Sequence, residues 1–409
     1  MNILILGLNY APELVGTGPR TAGMARHLVE AGHRVTVVCG KPYFPEWRID
    51  PSFAARGPQR SVEDGVEVVR VDHFVPRKPR WAGRLRHYLS FVRNADAEMR
   101  SALRRSRPDA VIVVAPTILS IWAARRAATR ADALLWLHVQ DFELDAAFAT
   151  GTLRGGGIAA RVAHRVEARC LRADRVSTIS PQMCDRLLAK GVPADRIVEL
   201  RNWADDDAVA PLDRPSTYRT EWGIERRHVA LYSGSFGGKQ GIEIIVEAAR
   251  RLAHRRDLMF VICGDGPARR ALEAGAADLD NLQFHDLQPL ERLSDLLGLA
   301  SVHLLPQIAG AADLVLPSKL ANMLASGRPV IATAATGTGL AREVEECGVV
   351  TPPGDLDVFV SAIEALIDGP AWCGVLGEAG RRRAETRWRR ASILNRFEAA
   401  LRLAVAGAL

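Results

Sequence analysis

Short runs of consecutive apolar residues alternate along this chain with longer stretches in which apolar residues recur every three or four positions. The first pattern marks strands buried on both faces and the second marks the helices that bury them, so the alternation predicts parallel sheets covered by helices. In the first half, strands are expected at 2–8, 34–39, 67–71, 110–114, 133–139, 175–179 and 197–200. A second series is expected at 228–233, 258–263, 282–284, 302–305, 329–333 and 349–351. Between them the polar, proline-bearing "NWADDDAVAPLDRPSTYRTEWGIE" holds no period. The expected organisation is a first Rossmann-like domain at 1–204, a linker at 205–225 and a second doubly wound domain at 226–387. The tail, 388–409, carries Leu394, Phe397, Ala400 and Leu401 at helical spacing and needs a surface, which the first domain would supply. In doubly wound sheets ligands bind beyond the carboxyl ends of the strands, so two such domains would place the chemistry in a gap between them.

A chain of 409 residues with 48% hydrophobic composition can bury two cores. The six cysteines form no C-x-x-C pair, which argues against a zinc site and a disulfide framework and for a reducing cytosol. "MNILILGLNYAPE" lacks a basic leader segment and reads as a first strand. The longest apolar run, "AVIVVAPTILSIWAA", is broken by Pro116 and is shorter than the roughly 20 residues of a membrane span.

The formal charge of +7 is concentrated from Arg77 to Arg107. There Arg77, Lys78, Arg80, Arg84, Arg86, Arg93, Arg100, Arg104, Arg105 and Arg107 face only Asp96 and Glu98, with Trp81, Tyr88, Leu89 and Phe91 interleaved. Three readings fit: a surface for anionic lipid headgroups, a nucleic-acid patch, or the solvated face of a helix in an arginine-rich protein.

Two lysines stand where helix starts are expected. In "LYSGSFGGKQGIE", Gly234, Gly237 and Gly238 allow close backbone approach and a helix is expected from near Lys239, a phosphate-loop plan without the Walker spacing. In "ADLVLPSKLANMLASGRPVIAT", Ser318 reads as an N-cap and Gly327 as a stop, which puts Lys319 in the first turn where a cation is disfavoured by roughly 0.3–1 kcal/mol. A bound diphosphate would offset both placements. The plainer reading is two solvated lysines.

Other loops add candidates. "CGDGPARR" follows a strand, and Gly264 and Gly266 suit either a tight structural turn or a resting place for a flat nucleobase. Gly16, Thr17 and Gly18 precede the first helix, but the third glycine of a dinucleotide fingerprint and an acidic residue after the second strand are both missing. That disfavours NAD; the loop can still border donor phosphates. Past another strand, "LHVQDFELD" offers His138 to the crevice, with Asp141 and Glu143 available to acceptor hydroxyls; a strand-end histidine is as readily structural. No triad or metal-ligand spacing competes, so neither a metal nor another cofactor is expected.

Together "LHVQDFELDAAFATG", "DRVSTISPQM", "LYSGSFGGKQGIE", "HLLPQIAGAADLVLPSKLANMLASGRPVIAT" and "GVVTPPGD" resemble the bacterial exopolysaccharide glycosyltransferases of family 4, above all the colanic-acid-type fucosyltransferase subgroup. The resemblance implies the α/β GT-B fold, a GDP- or UDP-linked sugar donor held by the second domain, retention of configuration and no essential metal. It also implies a lipid-linked or saccharide acceptor and work at the inner face of the cytoplasmic membrane. That favours the lipid reading of the basic segment and no nucleic-acid partner. Carried over by motif, Lys239 neutralises the donor diphosphate with Ser235 and its neighbours assisting, and His138 lies near the transferred sugar.

The family's pair of glutamates is where the chain departs. Counting back from "ASG", the second falls on Asn322 and the first on Leu314, beside Asp313. Leu314, Val315, Pro317, Ser318, Lys319 and Asn322 then flank the donor, with Asp313 as the acid facing the sugar. The missing glutamate keeps an inactive assembly subunit in view, and a sugar-nucleotide epimerase or hydrolase shares the same fold.

Overall fold

The computed structural model describes residues 1–13, 16–77, 81–115, 118–142, 158–204, 209–238, 240–309, 317 and 319–407. The chain divides into two compact units, Met1–Arg201 with Leu394–Leu409 and Asn202–Ile393.

In the first unit β1 (Asn2–Gly7), β2 (Arg34–Gly40), β3 (Gln59–Glu63), β4 (Val66–Val71), β5 (Ala110–Ala115), β6 (Leu134–Val139), β7 (Arg175–Thr178) and β8 (Ile197–Glu199) form one sheet. Its order is β3-β4-β2-β1-β5-β6-β7-β8. β5 and β6 are buried at every position, as central strands covered on both faces must be. The sequence pattern located every strand of this sheet except β3, which runs antiparallel to β4 at the edge. Its residues, QRSVE, bury neither face and leave Val62 76% exposed, so no apolar run announces it.

The second unit holds β9 (His228–Ser233), β10 (Leu258–Cys263), β11 (Leu282–His285), β12 (Val302–Leu305), β13 (Val330–Thr333) and β14 (Gly348–Thr351), all parallel, in the order β11-β10-β9-β12-β13-β14. The described residues of the stretch expected as a linker are part of this unit. Val209, Tyr218 and Ile224 are buried in its cores, and the Tyr218 hydroxyl donates to Gln288 Oε1 at 3.0 Å. Three anchors at irregular spacing carry no period.

The helix Arg390–Ala406 closes the described chain. Its Phe397 meets Trp136 edge-on at 5.1 Å, and Glu398 Oε1 lies 2.9 Å from His33 Nε2.

Strand order reverses between β1 and β5 in the first sheet and between β9 and β12 in the second. At such a switch point the loops leaving adjacent strands turn to opposite faces and open a crevice. In the second unit one of those loops is the glycine-rich turn after Ser233, and β12 stands beside it across the switch point.

Candidate active site

β9 runs straight into the glycine-rich turn. Gly234 N donates to Cys263 O at 2.9 Å, Phe236 N to Asp265 O at 2.9 Å and Ala268 N to Phe236 O at 3.3 Å, which zips this turn to the loop after β10. A Cβ on Gly264 would stand 1.9 Å from Gly234 O, and one on Gly266 within 2.8 Å of the Phe236 backbone. These two glycines are therefore required by loop-on-loop packing. That is the structural alternative for them, and the nucleobase platform is not needed to explain their presence.

The zipping uses alternate amides only. Those of Ser235, Gly237 and Gly238 donate to no backbone acceptor among the described residues, and Ser235 and Gly238 are exposed. Amide groups left unpaired at a strand end are a ready anion cradle.

Lys319 opens the helix Lys319–Ala325, and Leu320 N closes that first turn on Pro317 O at 3.0 Å. The residue is partly exposed, yet its Nζ atom is buried and has no hydrogen-bond partner among the described residues. It lies 3.8 Å from the centroid of the Tyr232 ring, close against Gly234, where a Cβ would come within 3.0 Å of it. Burial pushes this ammonium down to about 7, and no charged neighbour among the described residues contributes. An unpaired buried donor of this kind costs free energy until an acceptor arrives. Asn322, three residues on and half-buried, lies on the next turn of the same helix face. Among the expected site residues, Lys239, Asp313, Leu314, Val315, Ser318 and Glu143 lie outside the described residues.

His138 sits inside β6, 3% exposed. Its Nδ1 lies 2.9 Å from Ser177 Oγ, which also accepts from Trp136 Nε1 at 2.8 Å, and Gln140 Nε2 is 2.7 Å from His138 Nε2. With both nitrogens occupied and burial pushing its pKa to about 4, the ring is neutral and knits strands together. Gln140 and the half-buried Asp141, not the imidazole itself, stand past the strand end.

Gly16 has φ +74°, and a Cβ on Gly18 would stand 3.1 Å from Tyr10 O. Gly18 thereby packs the chain closely against Glu13, a residue the sequence did not single out. Its buried carboxylate accepts from Asn9 Nδ2 at 2.8 Å, Tyr43 N at 2.9 Å and Phe44 N at 3.0 Å, stapling the loops after β1 and β2. Burial pushes its pKa up while these donors hold it back.

A model of the glycosyl transferase 4-like domain matches residues 15–203, and a model of glycosyl transferases group 1 matches residues 227–369. The chain belongs to the family 4 glycosyltransferases. A family 4 relative, the putative colanic acid biosynthesis glycosyl transferase WcaI of Escherichia coli K12, is 37% identical over 388 residues, 90% of this chain and 91% of that one. Among solved structures, sucrose-phosphate synthase from Thermosynechococcus elongatus superposes with a TM-score of 0.78 at 19% identity, covering 99% of both chains. Anabaena HepE, in complex with UDP and glucose, gives 0.72 at 16% identity over 98% of this chain and 99% of its own. The fold of this family 4 enzyme is thus GT-B, as its resemblance implied, and its chemistry is glycosyl transfer.

Proposed function

We propose that this glycosyltransferase moves a sugar from a nucleotide-sugar donor to a lipid-linked or saccharide acceptor in exopolysaccharide assembly, with retention of configuration and without an essential metal. The observation that carries the reading is the buried Lys319 Nζ beside the amides of Ser235, Gly237 and Gly238, all without a hydrogen-bond partner among the described residues. Those groups, with Lys239, hold the donor diphosphate and stabilise the negative charge that develops on it as the glycosidic bond breaks. The acceptor hydroxyl forms the new bond to the anomeric carbon from the face the diphosphate leaves. Its proton passes to the departing phosphate oxygen, so the step balances without a side-chain base. The colanic acid role of the WcaI relative and the UDP bound by HepE support this class of donor and pathway. Fucose carried by guanosine diphosphate is the donor the sequence resemblance favours.

The basic segment supports a peripheral membrane site for the same enzyme. On the helix Trp81–Arg105, Leu85 and Leu89 are 41% and 53% exposed beside Arg86 and Arg93. The helix's two acids are already spent, Asp96 on Arg126 at 2.9 Å and Glu98 on Arg60. An arginine surplus flanking exposed leucines suits an anionic bilayer. Among the described residues no single helix is long and apolar enough to cross a membrane.

The test is a thermal-shift comparison of GDP and UDP, since a ligand at 100 times its Kd adds about 2.7 kcal/mol, followed by turnover of the better nucleotide's sugar. No shift with either would remove the donor-site assignment.

A further inference from the structure

Lys319 leads directly to Tyr232. This side chain is fully buried in β9, immediately before the glycine turn, and touches both halves of the anion cradle. Its ring face lies 3.8 Å under Lys319 Nζ, and its hydroxyl donates to Ser235 O at 2.7 Å. The ring also packs against Phe236, centroids 6.1 Å apart, so Ser235 and Phe236 are both braced by one side chain. Burial pushes the phenol far above its ordinary value, which keeps it a donor at any working pH.

We infer that Tyr232 is the positioning residue of the diphosphate site, its ring parking the Lys319 ammonium above Gly234 while its hydroxyl fixes the loop whose amides complete the cradle. This rests on the donor-site reading above and adds to it a residue that touches no ligand.

Three observations support the assignment. Among the described residues the ammonium has no acceptor, and the favourable surface it meets there is the negative face of the Tyr232 ring. The lysine end packs directly over Gly234, where a Cβ would stand 3.0 Å from Nζ and 3.3 Å from Cδ, so the absence of a side chain there leaves room for it. The Ser235 carbonyl, if free to rotate, would turn toward the cradle and present an oxygen to the anion; its bond to the phenol holds it away. The groups facing Nζ are thus the ring on β9 and the backbone of Gly234, and no carboxylate, imidazole or guanidinium among the described residues shifts its ionisation.

The test is binding of GDP and UDP to the intact protein between about pH 7 and pH 9, where the terminal phosphate (second pKa about 6) is already fully ionised. Tyr232→Phe keeps the ring and loses the hydroxyl; affinity should fall by about threefold to tenfold with the pH profile unmoved. Tyr232→Leu removes the ring too, and the pH above which binding weakens should move down by about half a unit to one unit. Lys319→Met should flatten the profile altogether. Weaker binding in step with a lowered melting temperature, with no movement of the profile in Tyr232→Leu, overturns the inference and leaves the donor site standing. Should that variant not fold, unchanged affinity in Tyr232→Phe overturns it. Wild-type protein that binds neither nucleotide overturns the inference together with the reading beneath it.

Discussion

Gly234 and Gly264 touch through their backbones, so closely that a methyl group on Gly264 would stand 1.9 Å from the Gly234 carbonyl oxygen. Gly264 also holds φ +147°, a conformation that side chains rarely adopt. Gly264→Ala must therefore part the two loops. The expected loss is about 1–3 kcal/mol of stability, read from the urea midpoint, with nucleotide affinity falling further than the midpoint alone explains. Gly238→Ala is the control: none of the described residues lies within 4 Å of a Cβ there, and stability should hold.

Replacing Lys319 should separate stability from function. The ammonium is buried without a hydrogen-bond partner among the described residues, so Lys319→Met exchanges an unfavourable polar group for an apolar one of similar length. The unliganded protein should melt higher than wild type while nucleoside diphosphate affinity drops by more than tenfold, as the loss of a buried charge contact does. A variant that melts lower would show that the lysine already has an acceptor.

Nucleotide affinity should depend on pH through the same group. Lys319 loses its proton near pH 7 in the unliganded protein, against 10.5 in an ordinary setting. A diphosphate binds the charged form, so affinity should weaken by up to tenfold for each unit above about pH 7. The unfolded chain holds that proton up to its ordinary pKa while the fold releases it near 7. Between these values the unfolded state binds more protons, so this lysine makes the unliganded protein more stable as pH rises. Calorimetry with and without GDP should show the two trends running in opposite directions.

Acid should attack the first unit through its buried imidazoles. Burial holds His73 and His138 near 4, against an ordinary 6.5. Their neutral forms contribute stability that is complete above 6.5 and is lost as pH falls from there through about 4. His138→Gln should flatten part of that slope in melting temperature against pH. It should leave nucleotide affinity nearly unchanged, because the ring bonds to Ser177 and Gln140 within the first unit.

Much of this was legible in the chain itself. Strands such as β5 and β10 are unbroken apolar runs because both faces are covered, and their shortness and β-branched content set them apart from buried helices. Lys319 was legible because a cation in a first turn contradicts the local electrostatics. Tyr232 was not. Inside the apolar run "HVALYS" it looks like any core aromatic, and only the fold reveals what lies over its ring. Gly264 and Gly266 were visible, but the sequence could not say whether a ligand or a neighbouring loop required them. Glu13 was hidden because its three donors come from residues separated from it in sequence by up to 31 positions.

The helix that ends the described chain has a consequence for how the protein is made. Leu394–Leu409 belongs with Met1–Arg201, so the polypeptide leaves its first unit and returns to it only after the whole of Asn202–Ile393 has been laid down. During synthesis the second unit is complete before the first. Until the ribosome delivers Phe397 and Glu398, the indole of Trp136 and the imidazole of His33 lack the cover and the partner they have in the finished enzyme. A nascent chain stalled short of those residues would hold one finished half and one that still awaits its final piece.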